Sequence, residues 1–197
     1  MAFWSDYSEG GLEPKRKFTF ILSIGGEVDN DDETAALDIQ EYLIKKVKKP
    51  GFEVSVTEHK FLNHTFSYPG KIKWKEVTFS VADVISPNTT NIFLKILQES
   101  GYQLPTGPID SSDGTARTMS KSASVRALGT PRIHQLDHNG DSVETWRLHG
   151  CWIKDIEFGE LDYDSEDMMA LDVTLVYDFA DCTFKQEGGV TLPEGNI

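Results

Sequence analysis

A chain of 197 residues with 39% hydrophobic and 26% charged residues has the size and composition of one soluble globular domain with a proper core. It carries 19 Lys and Arg against 32 Asp and Glu, a net charge of −13. That balance argues against binding nucleic acid through its phosphates, since such affinity comes from Lys and Arg displacing counterions. No apolar run approaches the ~20 residues that cross a bilayer, so no membrane partner is expected, and the polar, acidic opening MAFWSDYSEGG does not read as a secretory signal.

The charge is unevenly spread. Residues 1–41 hold ten acids and three bases, residues 42–136 seven acids and thirteen bases, and residues 137–181 thirteen acids and two bases. The successive nets of −7, +6 and −11 either neutralise one another within a monomer or form complementary surfaces between copies.

In chain order, residues 1–13 read as an N-terminal arm. Phe3, Trp4 and Tyr7 are large apolar groups to leave in water, and aromatics are enriched at interface cores, so the arm is expected to dock. Lys17 to Ile24 alternates as a strand with Phe18, Phe20, Leu22 and Ile24 on one face, closed by Gly25-Gly26. An acidic insertion follows at about 27–41, with a short helix expected around Thr34–Gln40. Its DNDDE resembles the start of a calcium loop, but the required glycine is missing and Ala35-Ala36 stands in that region, so a solvated loop is expected.

Tyr42 to Val47 reads as a short strand, and KKPGFEVSV turns into another with Val54 and Val56 facing together. Residues 59–75 read as an aromatic loop bearing Phe61, Phe66 and Tyr68 and closed by a turn at Pro69-Gly70. Trp74 to Asp83 is a clear strand, with Val77, Phe79 and Val81 beneath and Glu76, Thr78 and Ser80 above. Ser86-Pro87 opens a helix whose stripe is Ile92, Phe93, Ile96 and Leu97 and whose stop is Gly101. A Ser/Gly/Thr/Asp-rich loop at about 106–121 precedes a hairpin of Ser124–Leu136 and Val143–His149, turning at His138-Asn139-Gly140-Asp141.

The stretch from Ser142 to Asp181 organises the rest. Trp146 and Leu148 share a face in its first half. In its second half Leu171, Val173, Leu175, Tyr177 and Phe179 alternate with Asp172, Thr174, Val176 and Asp178. Between them lies the acidic turn GELDYDSED, and residues 183–197 read as a C-terminal tail. Seven or eight strands linked mostly as hairpins, with one helix, make a mainly β fold: an antiparallel sandwich or small barrel with a flanking helix.

No chemistry-bearing motif emerges. There is no G-x-S-x-G, P-loop, dinucleotide fingerprint, C-x-x-C or H-E-x-x-H. His134 and His138 straddle a turn and make a poor ligand pair. Cys151 and Cys182 read as buried thiols, with a disulfide not called for. The acids Asp162, Asp164, Glu166 and Asp167 read as solvated, with no apolar pocket to tune one for catalysis. No enzyme, cofactor or metal is expected.

The last quarter, ETWRLHGCWIKDIEFGELDYDSEDMMALDVTLVYDFA, is similar to the end of tail tube proteins of contractile-tailed bacteriophages. In these a Trp-bearing strand is followed by a G-x-L-x-[YW]-x-[SD]-type turn and a closing strand ending in Y-D or D-Y. The matching residues are Trp146, Gly159, Leu161, Tyr163, Asp164, Ser165, Tyr177 and Asp178. PKRKFTFILSI resembles the family's opening strand, and KKPGFEV, YPGKIKWKEVTFSV and one helix follow its order. The likeness covers about residues 14–182, broken by the insertions at 27–41 and 106–121, and rests on order and spacing more than on any one motif.

The resemblance implies a hexameric ring whose inner sheet is continuous with those of its neighbours. Rings stack inside a contractile sheath, between a baseplate or tube initiator and a tail terminator. DNA passes through the lumen without specific binding, and the protein resides in the virion after assembly in the host cytoplasm. The inner tubes of type VI secretion share this plan. On this reading Glu76, Thr78, Ser80, Asp172, Thr174 and Asp178 are candidates for the lumen, or else face outer solvent. Phe3, Trp4, Tyr7, Phe61, Phe66 and Tyr68 are candidates for contacts between subunits. The alternatives are a baseplate, initiator or secretion ring, a monomeric barrel binding a small ligand, and a metal-dependent hydrolase using the 162–167 acids. Particle mass by light scattering separates the monomeric barrel from an assembly.

Overall fold

The computed structural model describes residues 14–25, 41–102, 118–164 and 166–184. The expected arm, both insertions and the tail lie wholly or mostly outside these residues, as does the helix expected at Thr34–Gln40. The described chain forms β1 (Phe20–Ser23), a 3-10 turn (Glu41–Leu43), β2 (Ile44–Val47), β3 (Gly51–Phe61), β4 (His64–Lys75) and β5 (Val77–Ala82). Then come α1 (Thr89–Glu99), α2 (Lys121–Leu128), β6 (Arg132–Leu136), β7 (Ser142–His149), β8 (Trp152–Glu157), β9 (Ala170–Val176) and β10 (Phe179–Phe184).

Two four-stranded antiparallel sheets, ordered β1-β6-β7-β10 and β2-β5-β9-β8, share one core, and β3-β4 stands apart as a two-stranded hairpin. The core follows the expected alternation. Val77, Phe79 and Val81 from β5 meet Leu171, Val173 and Leu175 from β9, all essentially inaccessible to water. Leu22, Ile133 and Leu148 come from the first sheet, and Phe93, Ile96 and Leu128 from the helices. Deep burial of such side chains stabilises by about 1.5–3 kcal/mol each. β1 is shorter than expected: Leu22 and Ile24 are buried and Phe20 partly so, while Phe18 is exposed.

Four sequence expectations are corrected. The alternating run 171–179 is not one strand, because the chain turns a corner at Tyr177-Asp178. β9 belongs to the second sheet and β10 to the first, and Phe179 is exposed where the pattern put it in the core. Residues 121–128 are a helix and not the start of a strand. Ser120 Oγ accepts the Ala123 N–H at 3.2 Å, and Gly129, at φ 75°, closes the other end. The run 74–83 is broken at Glu76, where β4 ends and β5 begins. Residues 59–75 are not a loop, and Pro69-Gly70 is not its turn. β3 and β4 pair over their whole length and turn at Leu62-Asn63, with Leu62 at φ 52°.

Helix α1 forms where its apolar stripe predicts, but Asn88, two residues beyond Ser86, caps it. Asn88 Oδ1 accepts the Asn91 N–H at 2.8 Å. Replacing Asn88 by Ala is expected to cost about 1 kcal/mol, measured by urea unfolding.

Candidate assembly surfaces

The outer face of the second sheet is built by alternation. On β5 and β9 the residues opposite the buried ones are Thr78, paired with Thr174, and Ser80, paired with Asp172, and the Ser80 hydroxyl donates to the Asp172 carboxylate. These four lumen candidates therefore share one face. Glu76 adjoins them between β4 and β5, with its Oε1 2.6 Å from Lys154 Nζ of β8. Asp178 leaves the row: it lies past the corner, where Lys121 Nζ approaches its two carboxylate oxygens at 2.7 and 2.6 Å.

Two acids that sequence reasoning missed extend the face. On β8, Asp155 pairs with Thr174 and Glu157 with Asp172, while Ile153 and Ile156 point inward opposite Leu175 and Val173. The inward residues are three apart because of a bulge between Ile153 and Asp155, so no period of two marks this strand in the sequence. At the far edge Lys46 stands opposite Ser80. The face is thus polar, with Asp155, Glu157 and Asp172 on its β8–β9 side.

The hairpin is the second surface. Every residue of β3 and β4 is exposed except Gly51 and Trp74, which are half-buried. Its root is fixed to the body. The Phe52 and Trp74 rings meet edge to face at 5.7 Å, Trp74 lies 5.9 Å from Tyr177, and the Tyr177 hydroxyl donates to the Lys75 carbonyl at 2.8 Å. Toward the tip, Phe66 stands opposite His59, Tyr68 opposite Thr57 and Phe61 opposite His64, placing the three aromatics on one face. Their relative exposures of 49–61% are large for a monomer surface. Phe3, Trp4 and Tyr7 lie outside the described residues.

One buried carboxylate holds both Lys15, near the start of the described chain, and Lys49, just before the hairpin. Glu144 on β7 accepts from Lys15, from the Trp146 indole, and from Lys49 at 3.0 Å. Burial alone would raise its pKa, but the three donors outweigh burial and hold it at about 2. No sequence signal marks this group, because its two lysine partners are 129 and 95 residues away.

Among the described residues no group of three or more His, Cys, Asp or Glu is placed to hold a metal, and no helix is long and apolar enough to cross a membrane. Both cysteines are free. Cys151 is buried as expected, and burial pushes its thiol to about 12; Cys182 is only partly buried, with its thiol raised by burial to about 11.

Two packed antiparallel sheets, the corner between β9 and β10, and a projecting hairpin define the fold. No family model and no curated protein matches the sequence. Among solved structures, the chain resembles one in the cryo-EM structure of an extracellular contractile injection system, the PVC sheath–tube complex in its extended state. Identity is 14%, TM-score 0.60, with 93% of this chain and 96% of that one covered. It also resembles chains in the anti-feeding prophage baseplate (13%, TM-score 0.61, 88% and 97% covered) and in its tube-terminating cap (13%, 0.61, 94% and 100%). At such identities the shared property is the fold.

Proposed function

We propose that this protein is a structural subunit of a phage tail tube, six copies forming a ring and rings stacking into a conduit for genome ejection. One observation carries the reading: a hairpin of two long strands, anchored at its root, exposes a face of aromatics that a lone subunit has no use for. Such an element gains stability only on a partner. The shared fold with a sheath–tube complex supports that partner being further copies, with a sheath outside and a terminator and initiator at the ends.

The polar outer face of the second sheet supports its placement toward the bore. DNA carries a charge every ~1.7 Å of axis, and a wall of Asp155, Glu157 and Asp172 offers its phosphates nothing to pair with. On this reading the protein is not an enzyme and resides in the virion tail. A second reading, a baseplate, cap or initiator ring, draws on the shared fold with chains of the anti-feeding prophage baseplate and cap.

Electron microscopy and light scattering of concentrated protein test the proposal. Rings or filaments are expected, and a particle that stays at 22.1 kDa at every concentration overturns it. Deleting residues 1–13 is expected to block tube growth while leaving the thermal melt of the monomer unchanged. Polymers of the truncated protein, seen by sedimentation, would remove the arm from the assembly.

A further inference from the structure

Among the described residues β3 pairs with β4 and with no other strand, so its second edge runs bare for 11 residues, about 36 Å. A two-stranded hairpin is marginal in water, and a long bare edge is a template for one more strand. The two edges of this hairpin are not equivalent. In β4, Pro69 has no N–H to give, and the register shift between Val54–Ile72 and Val56–Pro69 puts the extra residue at Gly70–Lys71. β3 holds no proline and keeps a regular row of donors and acceptors along its edge.

Residues 1–13 join the body beside the start of that edge. The Lys15 and Lys49 ammoniums meet on the Glu144 carboxylate, and Lys49 stands two residues before β3. Extended, 13 residues reach about 43 Å, enough to run the length of β3. An arm that follows the hairpin from tip to root also runs opposite in sense to β3, which gives the more stable antiparallel pairing. The C-terminal tail starts nearby, since Lys15 Nζ lies 5.9 Å from the centre of the Phe184 ring. It carries Gly188-Gly189, Pro193 and no aromatic, and so makes the poorer strand.

The arm's side chains match that edge in one register. On β3, Thr57, His59 and Phe61 share the face of Phe66 and Tyr68, while Phe52 and Val54 share the other with Ile72 and Trp74. With Leu12 set opposite Phe52, Tyr7 falls opposite Thr57 and Phe3 opposite Phe61, so apolar groups meet on both faces. Trp4 falls opposite Lys60, an ammonium its indole can take up. The one like-charged pair, Asp6 with Glu58, lies where β3 is exposed.

We propose that residues 3–12 add to the open edge of β3 within the same subunit, making the hairpin a three-stranded sheet with Phe3 and Tyr7 beside Phe61, Phe66 and Tyr68. The pairing belongs to the single subunit; only its consequence for stacking, a wider aromatic face, rests on the tube reading above. Hydrogen–deuterium exchange on the full chain, kept too dilute to assemble, tests it. Nearly every β3 amide is expected to exchange slowly. A Ser5→Pro, Ser8→Pro double variant breaks the added strand at an odd and an even position, so one of the two removes an N–H directed at β3. In that variant the β3 amides not bonded to β4 are expected to exchange at least roughly tenfold faster, with those of β5 and β9 unchanged. Equal β3 exchange in the two chains overturns the proposal.

Thiol cross-linking decides whether the arm stays on its own subunit. In a Cys182→Ser background the remaining cysteine, Cys151, is buried. Ser5→Cys and His59→Cys, opposite each other in this register, are combined in one chain and treated, again dilute, with a short bis-maleimide. The expected product is a monomer heavier by one linker with both thiols consumed. A linked dimer in its place means that the arm crosses to another copy, and an unlinked monomer means that it lies elsewhere; either overturns the proposal. Neither measurement needs an assembly. Filaments without the link leave the tube reading standing, and the link without filaments leaves the added strand standing while the tube reading falls.

Discussion

Replacing Phe61, Phe66 and Tyr68 together by Ser is expected to leave a folded protein that no longer forms the proposed assembly. All three lie on one face of the hairpin tip and are exposed in the monomer, so the folded body loses little. Surface substitutions of this kind usually stay within about 0.5 kcal/mol each. In the proposed assembly the same rings would form the dehydrated centre of a contact, where an aromatic is worth about 2 kcal/mol or more. Such contributions do not add fully. A loss of only about 4 kcal/mol across the three still raises the concentration needed for assembly roughly 10³-fold. Pelleting measures that concentration, and a thermal melt of the soluble fraction measures the fold. Filaments forming at the unaltered concentration would show that the tip is not the contact.

That surface was only half legible in the sequence. The aromatics stood out because large apolar groups among Lys, His and Ser are unusual for solvated chain. Their secondary structure was hidden because Pro69-Gly70 punctuates a turn in most chains. Here Pro69 stands opposite Val56 beside a bulge, in a two-stranded hairpin where a missing N–H interrupts no further ladder. β5 and the 171–177 run were legible because strict alternation on a half-buried strand admits one reading, and the structure buries the residues it named. Alternation alone does not show that a strand changes sheets, so the corner at Tyr177-Asp178 needed the partner strands to be known. β8 was missed because its bulge spaces Ile153 and Ile156 by three. Helix α2 was missed although its signals were present: Ser120 before the helix, then Gly129 and Pro131 after it.

Glu144→Gln is expected to destabilise the protein at neutral pH and to matter progressively less in acid. The Glu144 side chain is 8% exposed, and its pKa of about 2, against an ordinary 4.5, makes the ionised form the one the fold selects. Between those values the unfolded chain binds the proton that the folded chain refuses, so the contribution is complete above about pH 4.5 and drains away as pH falls toward 2. At 1.36 kcal/mol per pH unit the shift corresponds to about 3 kcal/mol. Lys15 and Lys49 remain partly in water, which reduces the expected loss to about 2 kcal/mol. Urea unfolding of both proteins at pH 7 and pH 3 measures it. The gap should narrow at pH 3, and a gap of unchanged size would assign the loss to packing instead of charge. The consequence reaches assembly, because Lys15 adjoins the 1–13 arm and Lys49 leads into β3. Neutralising one carboxylate releases both tethers at once. The glutamine variant should therefore need a higher concentration to form filaments at pH 7 than the unaltered protein, and that difference should also shrink in acid.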